Sequence, residues 1–310
     1  MNEPSMEIAA VPVTVINPDK SSALVEAFLS GRNALTIKAY RQDLADFTRF
    51  LNAGGIAEAA RYVLSLAHGD ANALVLGYKT RLVDRGLQAA SINRRLSAVR
   101  ALVRLARVLG VVTWALEIQN VRAESYRDLR GPGTVALRRV LAALKQREDP
   151  KAKRDRAIIR LLHDLGLRRG EVVSLDLEHV DLVVSTLSVL GKGRTQRVSL
   201  TLPPETNAAL AVWLAFRGVD PGALFINFDR AGKGRRLSGT SVYRLTKKLG
   251  LGRPHGVRHL SITTALDLMN GDVRKVQKFS RHKDLRVVGT YDDSRTDMAG
   301  EVARIVAGNL

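Results

Sequence analysis

From Ser21 to about Gly110 the apolar residues recur every three or four positions, and short glycine-bearing breaks at "NAGG", "AHGD" and "DRG" stop each run before the next begins. That pattern predicts a small all-helical bundle. Its last long run, "SINRRLSAVRALVRLARVLG", sets Ile92, Leu96, Val99, Val103 and Ala106 on one stripe and Arg100, Arg104 and Arg107 on another. The cationic stripe contains no acid, so it reads as a solvated helix face or as a surface for phosphate. Periodicity then lapses in "ESYRDLRGPGT", where Gly131-Pro132-Gly133 breaks the chain.

The second half mixes periods. Helical spacing at about Val135 to Lys145 and Lys153 to Gly166 gives way to "VDLVVSTLSVLGKGRTQRVSLTLP", in which Leu187 and Val189, then Val198 and Leu200, alternate with polar residues on either side of a Gly-rich turn. This predicts a small antiparallel hairpin. Pro203-Pro204 ends its second strand, a helix through Trp213 follows, and the remainder reads as helices with loops at "NFDRAGKGRR" and "LGLGRPHG". The predicted plan is a mainly α chain: a flexible tail at 1–16, a helical domain at 17–122, a linker at 123–133, and an α+β domain with a small sheet at 134–310.

Charge narrows the partner. The 310 residues carry a formal net charge of +19, and a field of that sign concentrates polyanions. The excess is clustered, with 14 Lys or Arg against 3 Asp between Ala231 and Arg286. Aromatic residues make up 5%, too few for a protein that holds single strands by stacking bases on many rings, so double-stranded DNA is the expected partner. The absence of cysteine excludes disulfides, thiolate zinc sites and cysteine nucleophiles. Pro12 interrupts the apolar stretch from Ile8 to Ile16, which matches neither a secretory signal nor a membrane span; a cytoplasmic protein with no membrane partner is expected.

"HGVRHL", residues 255–260, poses the chemical question. Two histidines four apart invite a zinc reading, but Gly256, Val257 and Arg258 lie between them, with no general-base carboxylate and a guanidinium where a cation would sit. His68, His163 and His179 read as structural or surface residues. "GKGRT" is no P-loop, since Lys192 falls at a hairpin tip and not between a strand and a helix. Alone, that lysine is an ordinary turn residue.

As a set the residues say more. "LGLRRGEVVSLDL" supplies Arg168 with Glu171 one turn later, "VLGKGRTQRVSL" supplies Lys192, "HGVRH" supplies His255 and Arg258, and "FSRHKDLRVVGTYDD" supplies His282 with Tyr291 nine positions on. In order and spacing this resembles the tyrosine recombinase (phage integrase) family, whose catalytic pattern runs Arg, Lys, His-x-x-Arg, His or Trp, Tyr. The resemblance covers about Val135 to Leu310, and the helical first half is similar to the family's SAM-like core-binding domain.

The resemblance implies a site-specific recombinase, integrase or resolvase, that cleaves and rejoins duplex DNA with neither metal nor ATP as cofactor. Tyr291 would be the nucleophile, giving a 3′-phosphotyrosine and a free 5′ hydroxyl. Arg168 and Arg258 would clamp the phosphate with planar forks of N–H donors. His255 and His282 would donate to the same oxygens, with His255 also placed to take the nucleophile's proton. Lys192 would protonate the departing 5′ oxygen, Glu171 would orient Arg168, and Arg100, Arg104 and Arg107 would meet phosphates. It further implies a tetramer on two DNA sites, with a second recombinase or a DNA-bending protein as possible partners. A silent DNA-binding relative and a strand-relaxing type IB topoisomerase are the alternatives. One departure stands out: the family commonly has Leu-Gly before the later histidine, where this chain has Ser280-Arg281. An arginine there adds a phosphate contact or alters how that helix begins.

Overall fold

The computed structural model describes residues 18–31, 34–122, 131–191, 195–229, 232–292 and 298–308. The expected tail at 1–16 and most of the expected linker, 123–130, lie outside them. The chain divides into two compact units, Met1–Arg127 and Asp128–Leu310.

Among the described residues the first unit holds five helices: α1 (Pro18–Leu29), α2 (Ala34–Phe50), α3 (Ile56–Ser65), α4 (His68–Asp84) and α5 (Ala89–Val108). The apolar stripe of α5 faces inward, with Ile92, Leu96, Val99, Val103 and Ala106 all buried against Phe28, Leu44, Phe47, Val75 and Tyr78. Burying each large side chain contributes about 1.5–3 kcal/mol, and this packing holds helices that would be marginal alone. The breaks close as the sequence requires: Asn52, Gly86 and Gly110 take left-handed backbone angles just past the ends of α2, α4 and α5.

The second unit is built around α7 (Pro150–Asp164), which begins at an Asp149 cap whose side chain accepts from the Ala152 amide at 3.0 Å, with Pro150 in the first turn. Ala157, Ile158, Ile159, Leu161 and Leu162 are fully buried, because α7 packs on α6 (Thr134–Gln146), α9 (Pro204–Arg217) and α11 (Pro254–Leu268). The sheet is antiparallel in the order β1 (Val180–Asp181), β2 (Thr186–Leu190), β3 (Arg197–Thr201). Leu187 faces Leu200 and Val189 faces Val198, the alternation seen in the sequence. The two-residue β1 is a strand that the sequence does not announce.

The remaining helices are α8 (Arg169–Val173), α10 (Gly239–Lys248), α12 (Val273–Ser280), α13 (Leu285–Asp292) and α14 (Met298–Ala307). Gly131 lies so close to α11 that an added Cβ would stand 2.6 Å from the Gly256 carbonyl oxygen and 2.7 Å from the Leu260 Cβ. Beyond breaking the chain, that glycine lets the backbone approach the helix that carries His255 and Arg258.

Candidate active site

Three turns converge on one place. At the end of α7, Gly166 adopts φ 52°, and the reversal leaves Arg168 as the residue just before α8. Glu171, three residues on, accepts from the Arg168 amide through Oε2 and from its guanidinium Nη1 through Oε1, both at 2.9 Å. One carboxylate therefore caps a short helix and aims a guanidinium. Burial pushes the Glu171 carboxyl upward, but the Arg168 amide and the Arg281 and Arg168 cations outweigh it and hold the group ionised, below the usual carboxylate range.

Pro254 opens α11 with its fixed φ, which sets His255 and Arg258 one turn apart. His255 is exposed, whereas Arg258 is 1% exposed. The Arg258 guanidinium donates through Nη1 to the Gly166 carbonyl, and through Nη2 to the Ser280 carbonyl at 2.6 Å and to His282 Nε2 at 3.3 Å. Burial, then the neighbouring Arg168 and Arg281 charges, lower its pKa to about 10, so it keeps its charge at neutral pH.

His282 follows α12. Its Nδ1 lies 2.9 Å from the Ser280 hydroxyl, which in turn donates to the Gln277 carbonyl at 3.3 Å. The hydroxyl thus accepts from Nδ1–H, and the Nε2 lone pair faces Arg258. Burial, then the Arg258 and Arg168 charges, bring the His282 pKa down to about 4. In this arrangement the ring is neutral and accepts from Arg258, a different geometry from the phosphate donor expected of it.

Tyr291 sits near the end of α13, 5% exposed among Ile262, Leu266, Val276 and Val288. Its ring centroid is 4.8 Å from that of His259 and 5.7 Å from that of His282, and the Arg258 charge acts on its hydroxyl. Burial raises the phenol pKa, while Arg258 and Arg168 pull against it without cancelling it. The hydroxyl is a neutral phenol at neutral pH that must give up its proton as it attacks.

The structure accordingly unites Arg168, Glu171, Arg258, His282 and Tyr291. His255 joins Arg168 and Arg258 in lining a pocket of about 440 Å³, whose wall also includes Arg169, Tyr243 and Arg253. Those last three were not singled out in the sequence, although the charge density of "LRRG" and "GRPHGVRH" marks two of them. Lys192 lies outside the described residues, between the strands β2 and β3. In the first unit, Arg104 and Arg107 are exposed on α5, but Arg100 is tied inward, donating to the Ile118 carbonyl at 3.0 Å and to the Asn120 side chain at 2.5 Å.

Arg281 ends α12 in the left-handed conformation, at φ 58° and ψ 33°, a backbone state that costs a non-glycine residue about 1 kcal/mol. Its side chain is 8% exposed and turns into the protein. Elsewhere, Asp176, Glu178 and His179 come together with donor types that suit a cation, but Asp176 pairs with Arg236 and the His179 Nδ1 accepts from the Asp176 amide at 2.8 Å. These interactions account for the cluster as a local cap.

A mainly helical two-unit fold with paired arginines around a buried tyrosine defines a class of DNA-cleaving enzymes, and comparison with known proteins agrees. Residues 135–298 match the model of the phage integrase family, and residues 25–108 match that of the phage integrase N-terminal SAM-like domain. The chain belongs to the phage integrase family of tyrosine recombinases, enzymes that break and rejoin DNA. It is 39% identical to a tyrosine recombinase of Synechococcus elongatus, over 97% of this chain and 98% of that protein. Its fold resembles that of the XerH site-specific recombinase bound to its palindromic difH substrate in a post-cleavage complex, with TM-score 0.63 and 20% identity over 93% of this chain and 85% of that one. It also resembles a lambda integrase tetramer bound to a Holliday junction, with TM-score 0.63 and 14% identity over 87% of this chain and 76% of that one. Among the described residues, no helix is long and apolar enough to cross a membrane.

Proposed function

We propose that this protein cleaves and rejoins duplex DNA at specific sites through Tyr291. The hydroxyl oxygen attacks the scissile phosphorus in line, an O–P bond forms, the P–O5′ bond breaks, and a 3′-phosphotyrosine and a 5′ hydroxyl result. His255, exposed in the pocket, takes the phenol proton, and Lys192 supplies one to the 5′ oxygen. Arg168 and Arg258 stabilise the charge that builds on the non-bridging oxygens. Because the ester conserves the bond energy, rejoining needs no ATP. Two fixed guanidinium groups supply the positive charge for which other nucleases recruit a metal, so cleavage should be indifferent to a chelator.

The observation that carries this reading is a buried tyrosine whose ring centroid lies 5.7 Å from that of His282, the side chain that accepts from an Arg258 lining the same pocket as Arg168 and His255. We take the enzyme to act in the cytoplasm as a tetramer on two DNA sites, as the tetrameric lambda integrase does on a Holliday junction, with a second recombinase or a DNA-bending protein as a candidate helper. The test is covalent trapping. Incubated with genomic DNA from its own cells and quenched in detergent, the protein should form adducts whose DNA ends, once sequenced, reveal the site. Tyr291→Phe should bind DNA nearly as well and form none, because it loses one oxygen and little surface. Adducts from the Phe variant would move the nucleophile elsewhere, and none from the native chain would leave a silent DNA-binding protein.

A further inference from the structure

We propose that Arg281 is a positioning residue for strand cleavage, holding the two phosphate-facing arginines in register from behind; the inference rests on the recombinase reading above. Arg281 occupies a left-handed position that glycine would take without strain, so what it gains must come from its side chain. Its Nη1 donates to the Leu165 carbonyl at 3.1 Å and to the Phe279 carbonyl at 3.0 Å; its Nη2 donates to the Gly166 carbonyl at 3.1 Å and to Glu171 Oε2 at 3.3 Å.

Of the first two contacts, the one to Phe279 is local, and the one to Leu165 ties the end of α12 to the end of α7. The other two are shared with the reaction machinery. The Gly166 carbonyl also accepts from Arg258, and the Glu171 carboxylate also accepts from Arg168. Arg281 thus shares one acceptor with Arg168 and one with Arg258, and both acceptors lie more than a hundred positions away from it in sequence. It locks the Glu171 carboxylate against rotation and pins the turn after α7 to the end of α12. Its own guanidinium points at carbonyls and a carboxylate, so its action on DNA passes through the other two arginines.

Removing an outer partner of this kind leaves the inner groups present but loosely aimed, and small misplacement is costly because catalysis depends on geometry fixed before the reaction. Arg281→Gly is the informative variant, since it relieves the backbone strain while deleting the fork. On a nicked duplex carrying the site recovered from the native chain's own adducts, we expect single-turnover cleavage to slow by about 10- to 100-fold, the range seen when outer-shell partners of metal ligands are removed, with DNA affinity nearly unchanged. Guanidinium ion, at concentrations far below those that unfold the protein, should restore part of the rate. Arg281→Lys keeps the charge but cannot fork between Glu171 and Gly166, so it should fall between Gly and Arg; it carries the same test should the glycine variant fail to fold. Cleavage by either folded variant at the native rate, or a loss fully matched by weaker DNA binding, overturns the role of Arg281. Failure of the native chain to form adducts overturns the recombinase reading instead, so the two failures are distinct.

Discussion

Each unit of this protein buries an ionic network, and the two differ in whether arginines are buried along with the acids. In the helical unit the buried members are acids. Asp43 and Asp46 on α2 are 0% and 4% exposed, while three of the arginines that serve them, Arg49, Arg85 and Arg94, keep 73%, 44% and 43% of their side chains exposed. At the candidate site of the second unit both signs are buried: Arg258, Arg281 and Glu171 are interior, and that one carboxylate serves both Arg168 and Arg281. A buried acid surrounded by surface cations is a closed structural account. Buried cations held mostly by backbone carbonyls leave positive charge without a matching anion, the charge that the proposed phosphate would meet.

The sharpest way to break that contrast is to ask whether the positive charge and the proton act separately, and here the largest effects are expected. An alkoxide is a poor leaving group near neutral pH, so Lys192→Ala should slow cleavage by roughly two to four powers of ten. A thiolate leaves without help, and replacing the 5′ bridging oxygen by sulfur should restore most of that loss. Arg258→Ala, expected to lose on the order of 10²–10³ in rate through missing charge stabilisation, should recover much less with sulfur. Equal rescue of both variants, or of neither, would remove Lys192 as the acid and leave it a residue that only contacts DNA.

The two networks also differ in how much of them the sequence carries. Arg168 and Glu171 sit three residues apart, and His255 and Arg258 one helical turn apart, so local spacing makes them legible as pairs. The inward stripe of α5 is legible for the same reason, as is the alternation of β2 and β3. What spacing cannot show is a contact across a hundred residues: the join of Arg281 to Glu171 and Gly166 depends on a left-handed backbone at the end of α12, where an arginine gives no local signal. The neutral, accepting state of His282 is hidden likewise, because it follows from a serine hydroxyl two residues away and a guanidinium from another helix. The two-residue β1 has no period to detect.

A smaller effect separates the acids of the helical unit from each other. Burial pushes the Asp46 carboxyl up, but the Tyr78 hydroxyl at 2.9 Å, Arg85 and Arg95 outweigh it and leave the group below the usual carboxylate range. A depressed folded value stabilises the fold above the unfolded carboxyl pKa and loses that contribution as pH falls through the folded one. Asp46→Asn should therefore cost about 1–3 kcal/mol near pH 7, with the difference from the native chain shrinking in acid. Asp43 runs the other way: burial raises its carboxyl despite Arg94 and Arg95, and its Oδ1 is buried without a hydrogen-bond partner. Its ionised form works against folding, so Asp43→Asn should cost much less at pH 7 than Asp46→Asn. Denaturant unfolding of both variants across pH reads this directly, and cleavage at saturating DNA should be unchanged in each. Equal costs at every pH would mean that the two acids share one environment.

The smallest expected effect divides the arginine stripe of α5. Each phosphate neutralised by a cation contributes about one unit to the slope of log affinity against log salt. Arg104 and Arg107 are exposed and aligned on one face, so Arg104→Gln and Arg107→Gln should each flatten that slope by up to about one unit on DNA of unrelated sequence. Arg100 already spends its guanidinium on the Ile118 carbonyl and the Asn120 side chain, fastening the segment that follows α5. Leaving those partners would cost it two hydrogen bonds for one screened phosphate contact. Arg100→Gln should consequently lower the unfolding midpoint of the helical unit and leave the salt slope alone. A flattened slope for Arg100→Gln with no loss of stability would show that the inward contacts yield to DNA, and the stripe would then act as three equal cations.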